Sequence, residues 1–147
     1  MRERDTGIER CFTTCCSTSG REPSRQIELR YLHDVERPHG LPKGDRQQSR
    51  SGLPHQTDVD YKQFGLIVEL DGRIGHEGFG LFRDMHLDNL HALLDALTLR
   101  FGSYDLAARP CGVAFQVYYV LAGRGYREAF LRCQRCIAAS EADLLFA

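Results

Sequence analysis

Acidic side chains crowd the middle of the chain in a spacing that suits metal chemistry. Asp58 lies in the run Thr57-Asp58-Val59-Asp60-Tyr61, Glu69 and Asp71 end the run Gly65-Leu66-Ile67-Val68-Glu69-Leu70-Asp71, and His76 follows among glycines. Side chains alternate across a strand, so Glu69 and Asp71 share a face if residues 65–71 are extended. Two carboxylates on a buried strand repel each other and lose hydration, a cost that a cation or basic neighbours would offset. Asp58 reaches the same point if its strand pairs with the second one as a hairpin. Three carboxylates about one point suit Mg²⁺, a hard ion that takes oxygen ligands. Solvated turn acids paired with arginine account for the same residues, and both readings stand at this stage. His76 reads as an exposed loop histidine or as a general acid or base.

The elements that must position these acids follow from periodicity. Ile27, Tyr31, Leu32 and Val35 recur at helical spacing between Ser24 and Pro38. Residues 41–56 are polar and predict a loop or a short edge strand. Strands are expected at 57–61, 65–71 and 97–101, the second nearly continuous in apolar residues, as in a strand buried on both faces. A helix is predicted over 81–94, and another from Pro110, whose ring suits a first turn. Residues 124–147 read as a short helical tail. The order is that of a small α/β layer structure.

Composition sets outer bounds. The 147 residues suit one domain, with 42% hydrophobic residues to fill one core. The formal net charge of −1 excludes a histone-like polycation, yet it is unevenly spread. Residues 58–95 hold three basic and eight acidic side chains, whereas each flanking segment carries a net +2. No apolar run approaches the roughly 18–20 residues of a membrane span, and the first 26 residues lack a signal-type apolar core. A cytoplasmic setting is the default expectation, with no membrane association.

Six cysteines then read as reduced thiols. Cys11, Cys15 and Cys16 lie over a hundred residues from the Cys133/Cys136 pair, too dispersed for the two tight pairs of an ordinary zinc site. They are expected to be incidental, and Cys111 to be a small apolar residue opening a helix. His33, His39, His55, His86 and His91 are expected to be ordinary histidines.

Taken in order, one set of residues resembles a known family. Glu28 with Arg30-Tyr31-Leu32, Val35-Glu36-Arg37, His39-Gly40-Leu41-Pro42, Asp58-Val59-Asp60-Tyr61, Gly65 to Arg73 with His76, Arg83-Asp84, Asp88-Asn89, Leu99-Arg100-Phe101 and Arg109-Pro110-Cys111 are similar to the restriction-endonuclease-like domain of unknown function 559. That domain is related to the very-short-patch-repair (Vsr) endonucleases of the PD-(D/E)xK superfamily. The resemblance spans about two-thirds of the chain. It implies an α/β fold of restriction-endonuclease-like (Vsr-like) type, a small mixed sheet flanked by helices, and DNA as partner. It further implies Mg²⁺-dependent hydrolysis of phosphodiester bonds.

Position by position, it implies Asp58 and Glu69 as metal ligands and Glu28 as a helix acid that reaches the metal through water. Asp71 stands where the superfamily has lysine, so it would help hold the metal or accept a proton. His76 would lie near the scissile phosphate, and Arg83 and Arg73 would contact phosphate. Seventeen of the nineteen basic residues are arginine, which suits phosphate contact, although GC-rich coding gives the same excess. The near-neutral charge implies modest, salt-dependent DNA affinity.

The expected organisation is a loose leader at 1–23, remnant of a lost N-terminal region, an endonuclease-like domain at 24–134 and a tail at 135–147. A catalytically idle DNA-binding or regulatory, antitoxin-like module and a truncated fragment are the alternatives.

Overall fold

The first helix ends in an unusual way, and the sheet is built beneath it. A computed structural model describes residues 22–49, 56–72 and 79–146. Helix α1 (Glu22–Arg30) widens into a π-helical turn at Tyr31–Glu36, where the Arg37 N–H reaches back five residues to the Leu32 carbonyl. Strands β1 (Asp45–Ser49), β2 (Gln56–Tyr61) and β3 (Leu66–Asp71) follow. Helix α2 (Phe79–Leu93), strand β4 (Leu97–Gly102) and helices α3 (Ser103–Ala108), α4 (Pro110–Gly123) and α5 (Glu141–Phe146) complete the chain. The expected leader at 1–23 falls almost wholly outside the described residues.

The sheet is mixed, in the order β1-β2-β3-β4. β1 pairs with β2 and β2 with β3 antiparallel, while β4 runs parallel to β3 after the α2 crossover. A glycine closes the β2–β3 turn. Gly65 has φ +58°, and a Cβ there would lie 2.7 Å from Arg124 Nη1 and 2.8 Å from the Asp95 carbonyl.

Alternation puts Val59, Tyr61, Leu66, Val68, Leu70 and Phe101 into the main core, against Ile27, Tyr31 and Val35 of the first helix and Val113, Val117 and Leu121 of α4. Full burial of each such aliphatic side chain contributes about 1.5–3 kcal/mol. On the other face α2 packs over β4, where His91 Nδ1 meets Thr98 Oγ1 at 2.5 Å. Among the described residues no helix is long and apolar enough to cross a membrane.

Two expectations need correction. Helix α3 was not foreseen. It forms because the Asp105 carboxylate accepts from the Gly102 N–H (2.8 Å) and from Arg109 Nε (3.0 Å), closing both ends of a six-residue segment. The tail is not one helix: residues 124–140 are irregular and only α5 is helical. Gly125 (φ +106°) ends α4, and the chain then turns back on the first helix through Tyr126 Oη to the Gly40 carbonyl (2.7 Å) and Leu131 N–H to the His39 carbonyl (3.1 Å).

A buried carboxylate ties the first helix to the sheet. Glu36, 3% exposed, accepts from Arg46 Nη2 (2.9 Å), Tyr61 Oη (3.1 Å) and the Gly44 N–H (3.3 Å). Tyr61 shares a further hydrogen bond with Tyr31 (3.0 Å), over whose ring the Arg46 guanidinium lies at 5.5 Å. Glu36→Ala leaves that half-buried guanidinium beside no carboxylate and the Tyr61 hydroxyl and Gly44 N–H without their acceptor, and the expected loss is about 2–4 kcal/mol by urea unfolding. Tyr119→Ala, on a side chain 64% exposed, should move stability by less than about 0.5 kcal/mol.

Candidate functional site

Strand register lines up four polar side chains across the sheet. Arg46 pairs with Val59 and Gln48 with Thr57, which brings Gln47 level with Asp58. Val59 pairs with Val68 and Asp60 with Ile67, so Asp58 stands opposite Glu69, and Glu69 in turn pairs with Arg100. The row therefore reads Gln47, Asp58, Glu69, Arg100. Acids from two helices flank it. Gln47, held with φ +49°, donates through Nε2 to Glu28 Oε1 on α1 (2.5 Å) and to Asp58 Oδ1 (3.4 Å). At the other end Asp88 Oδ1 on α2 accepts from Arg100 Nη2 (2.8 Å) and Nε (3.3 Å).

The hairpin ladder itself changes character here. Beyond Val59 the Asp58 side chain replaces the backbone, its Oδ2 accepting the Leu70 N–H at 2.7 Å. This bond locks Asp58 against β3 and leaves its charge facing Glu69. Burial pushes the Glu69 carboxyl up to about 8; the Asp58 charge adds to the rise, while Arg100 opposes it. Glu69 is thus largely protonated at neutral pH and hydrogen-bonded to Asp58. Burial also raises Glu28, the Gln47 bond opposing and the Asp58 charge assisting.

Of the expected site residues, Glu28, Asp58 and Glu69 are brought together. Asp71 lies two residues on along β3, half-buried, on the face of Glu69 and paired with Gly102. Arg73 and His76 lie outside the described residues, as does the side chain of Arg83 on α2. Sequence reasoning did not assign Gln47, Arg100 or Asp88 to the site. Arg100 was legible in principle, since the alternation of Leu97-Thr98-Leu99-Arg100 turns it toward α2. Gln47 sits in a polar run with no periodic signal.

A second cluster corrects the reading of the cysteines and of His39. Cys111 Sγ lies 3.6 Å from Cys133 Sγ, Cys133 lies 3.8 Å from Cys136, and Cys136 lies 3.8 Å from His39 Nε2. All four ligand atoms fall within 4.8 Å of one another, a spacing that could hold a metal ion. Cys111 is buried in the first turn of α4, as expected of it, and its thiol also meets Cys133, while His39 is fully buried. The partners of the Cys133/Cys136 pair come from α4 and from the turn after the first helix. Cys11, Cys15 and Cys16 lie outside the described residues. Burial lowers the His39 pKa, against the opposing effect of the Val35 bond. Burial, with the neighbouring thiols, pushes Cys111 up to about 12. Burial also opposes ionisation of Cys133, but the Arg135 and Cys136 amides and the two thiols outweigh it and lower its pKa.

Comparison with protein-family models, with curated proteins and with solved structures found no match.

The Glu69 environment fixes a pH dependence. The folded carboxyl keeps its proton to about pH 8, whereas its ordinary value is 4.5. The folded state therefore binds more protons between these values, and stability falls as pH rises through the window, by a few kcal/mol at most. Urea midpoints at pH 5 and pH 8, without added divalent cation, should show this fall in the wild type. Glu69→Gln should flatten it.

Proposed function

We propose that the chain is a Mg²⁺-dependent DNA endonuclease of restriction-endonuclease-like (Vsr-like) type that hydrolyses phosphodiester bonds. The observation that carries this reading is the meeting of Glu28, Asp58 and Glu69 from α1, β2 and β3. They are three of the four acids that the family resemblance singles out, Asp71 being the fourth. A four-stranded mixed sheet with flanking helices agrees with the fold that the resemblance implies.

The donor set fits the proposed ion. Asp58, Glu69 and Glu28 offer only carboxylate oxygen, the ligand preferred by hard Mg²⁺. Two acids facing each other out of water form a site that a divalent cation relieves. Bound there, Mg²⁺ supplies positive charge against the phosphodiester oxygens at the reacting phosphorus. The protein's own groups prepare the place: the Leu70 N–H orients Asp58, and Asp88 holds Arg100 beside Glu69. Asp71 extends the acidic edge toward an incoming water as proton acceptor. Arg73 and Arg83 are assigned to phosphate and His76 to proton transfer, with DNA as substrate in a cytoplasmic setting.

A second reading has one observation in its favour. Gln47 Nε2 already bridges Glu28 and Asp58, as an amide would in a catalytically idle DNA-binding scaffold. Supercoiled plasmid incubated with and without Mg²⁺ separates the two. The enzyme nicks only with Mg²⁺, and Asp58→Asn and Glu69→Gln each lower the rate by about 10²-fold or more. DNA retention with no nicking in any divalent cation, unchanged in both variants, overturns the nuclease and leaves the scaffold.

A further inference from the structure

The Cys133-Gln134-Arg135-Cys136 turn presents two sulfurs to one point. The Cys136 N–H closes on the Cys133 carbonyl at 3.1 Å, and the two Sγ atoms stand 3.8 Å apart, the tight pair that metal sites commonly use.

The opposite side of the cluster is equally prepared. His39 Nδ1 donates to the Val35 carbonyl at 2.8 Å, which fixes the tautomer and leaves the Nε2 lone pair directed at the thiols. Metal-bound histidines are commonly oriented by such an outer hydrogen bond. Phe130 stacks on the same ring (5.2 Å, 15° between planes) and meets Phe115 edge-on (5.1 Å), walling the group from water.

Spacing selects the ion class. Four ligands arranged tetrahedrally at Zn–S of about 2.3 Å and Zn–N of about 2.0 Å stand roughly 3.5–3.8 Å apart. Three of the six separations here measure 3.6, 3.8 and 3.8 Å, and the rest lie within 4.8 Å, close enough for a small closure about an ion to complete the tetrahedron. The cysteines are free thiols, and a Cys₃His donor set suits zinc while disfavouring Mg²⁺ and Ca²⁺.

We propose that His39, Cys111, Cys133 and Cys136 form a closed structural zinc site that fastens the C-terminal segment to α4 and to the end of the first helix. Zn²⁺ displaces the three thiol protons and binds the neutral imidazole, giving a centre of net charge −1. All four coordination positions are filled by protein, so the site holds structure and performs no hydrolysis. The need is visible in the packing. Residues 124–140 have no regular structure, and among the described residues the apolar cluster beneath them has four buried members, Cys111, Phe115, Cys136 and Leu144, with the rest of its side chains partly buried. A core that small calls for a staple.

The test is metal analysis of untagged protein produced with zinc in the medium. One zinc per chain is expected in the wild type and in a Cys11→Ser/Cys15→Ser/Cys16→Ser variant, and none in Cys133→Ser/Cys136→Ser. Because the last variant removes a staple and can unfold, cobalt substitution of the wild type gives an independent readout. Tetrahedral ligand-field bands with thiolate-to-cobalt charge transfer are expected, and in His39→Cys they should shift to the four-thiolate pattern with metal retained. Substoichiometric zinc without those bands overturns the proposal. So does zinc that survives loss of Cys133 and Cys136, zinc that disappears with the three N-terminal cysteines, or stoichiometric iron in its place.

Discussion

The buried Glu36 carboxylate organises this molecule. It ends the first helix, and its three donors come from the turn before β1, from β1 itself and from β2. An ion pair so little hydrated is a doubtful source of net stability, but its geometry is exacting, because removal of either partner strands a charge. The helix, the edge strand and the hairpin can therefore meet in one way. The π-helical turn matters to this arrangement, since an added residue per turn changes the direction in which the following side chains project. Val35, next to Glu36, buries its side chain in the core while its carbonyl holds His39. One turn of chain thus serves the network under β1, and through Val35 the His/Cys cluster.

The acid row works against stability. Like charges directly opposite on neighbouring strands are unfavourable, and the Asp58–Glu69 pair is partly withdrawn from water as well. The fold absorbs this by protonating Glu69, by giving Asp58 a backbone donor and by placing Arg100 on the other side of Glu69. A local rule broken in the middle of an otherwise consistent sheet is where function is to be sought. The main core on the opposite face shows no such conflict: Val59, Val68 and Leu70 are apolar and buried.

The hairpin was legible because alternation and apolar content speak directly to strand pairing. Once β2 and β3 pair around Gly65, the opposition of Asp58 and Glu69 is a matter of counting, and the strand boundaries at 57–61 and 65–71 differ from those observed by a residue. Gln47 was not legible. Its role depends on a left-handed backbone angle in an edge strand with no periodic pattern. The thiol cluster escaped for another reason. Sequence rules for metal sites rely on two tight ligand pairs, and only Cys133 and Cys136 form one. His39 and Cys111 come from different elements, 72 residues apart in the sequence, and the tertiary fold alone makes them neighbours. Residues 124–140 run irregularly where Tyr126 and Leu131 hydrogen-bond to Gly40 and His39, long-range contacts of the kind that override local helical tendency.

The metal roles proposed for the two clusters divide by ligand hardness. Carboxylate oxygens at Glu28, Asp58 and Glu69 discriminate poorly among hard divalent cations, and an ion held by so few side chains would keep much of its own water. Sulfur and imidazole at His39, Cys111, Cys133 and Cys136 would take a soft or borderline ion far more tightly and leave no position for water. An exchangeable ion serves a reaction, in which ligands must enter and leave, and a closed one serves a scaffold. The closed site lies on the tail side of the first helix, whereas the acids lie along the sheet reached by Glu28 from the same helix. Loss of the closed site would loosen the tail at His39, a few residues from Glu36, and so reach the acids through the helix that both share. An exchangeable ion at the acids would have no corresponding hold on the tail.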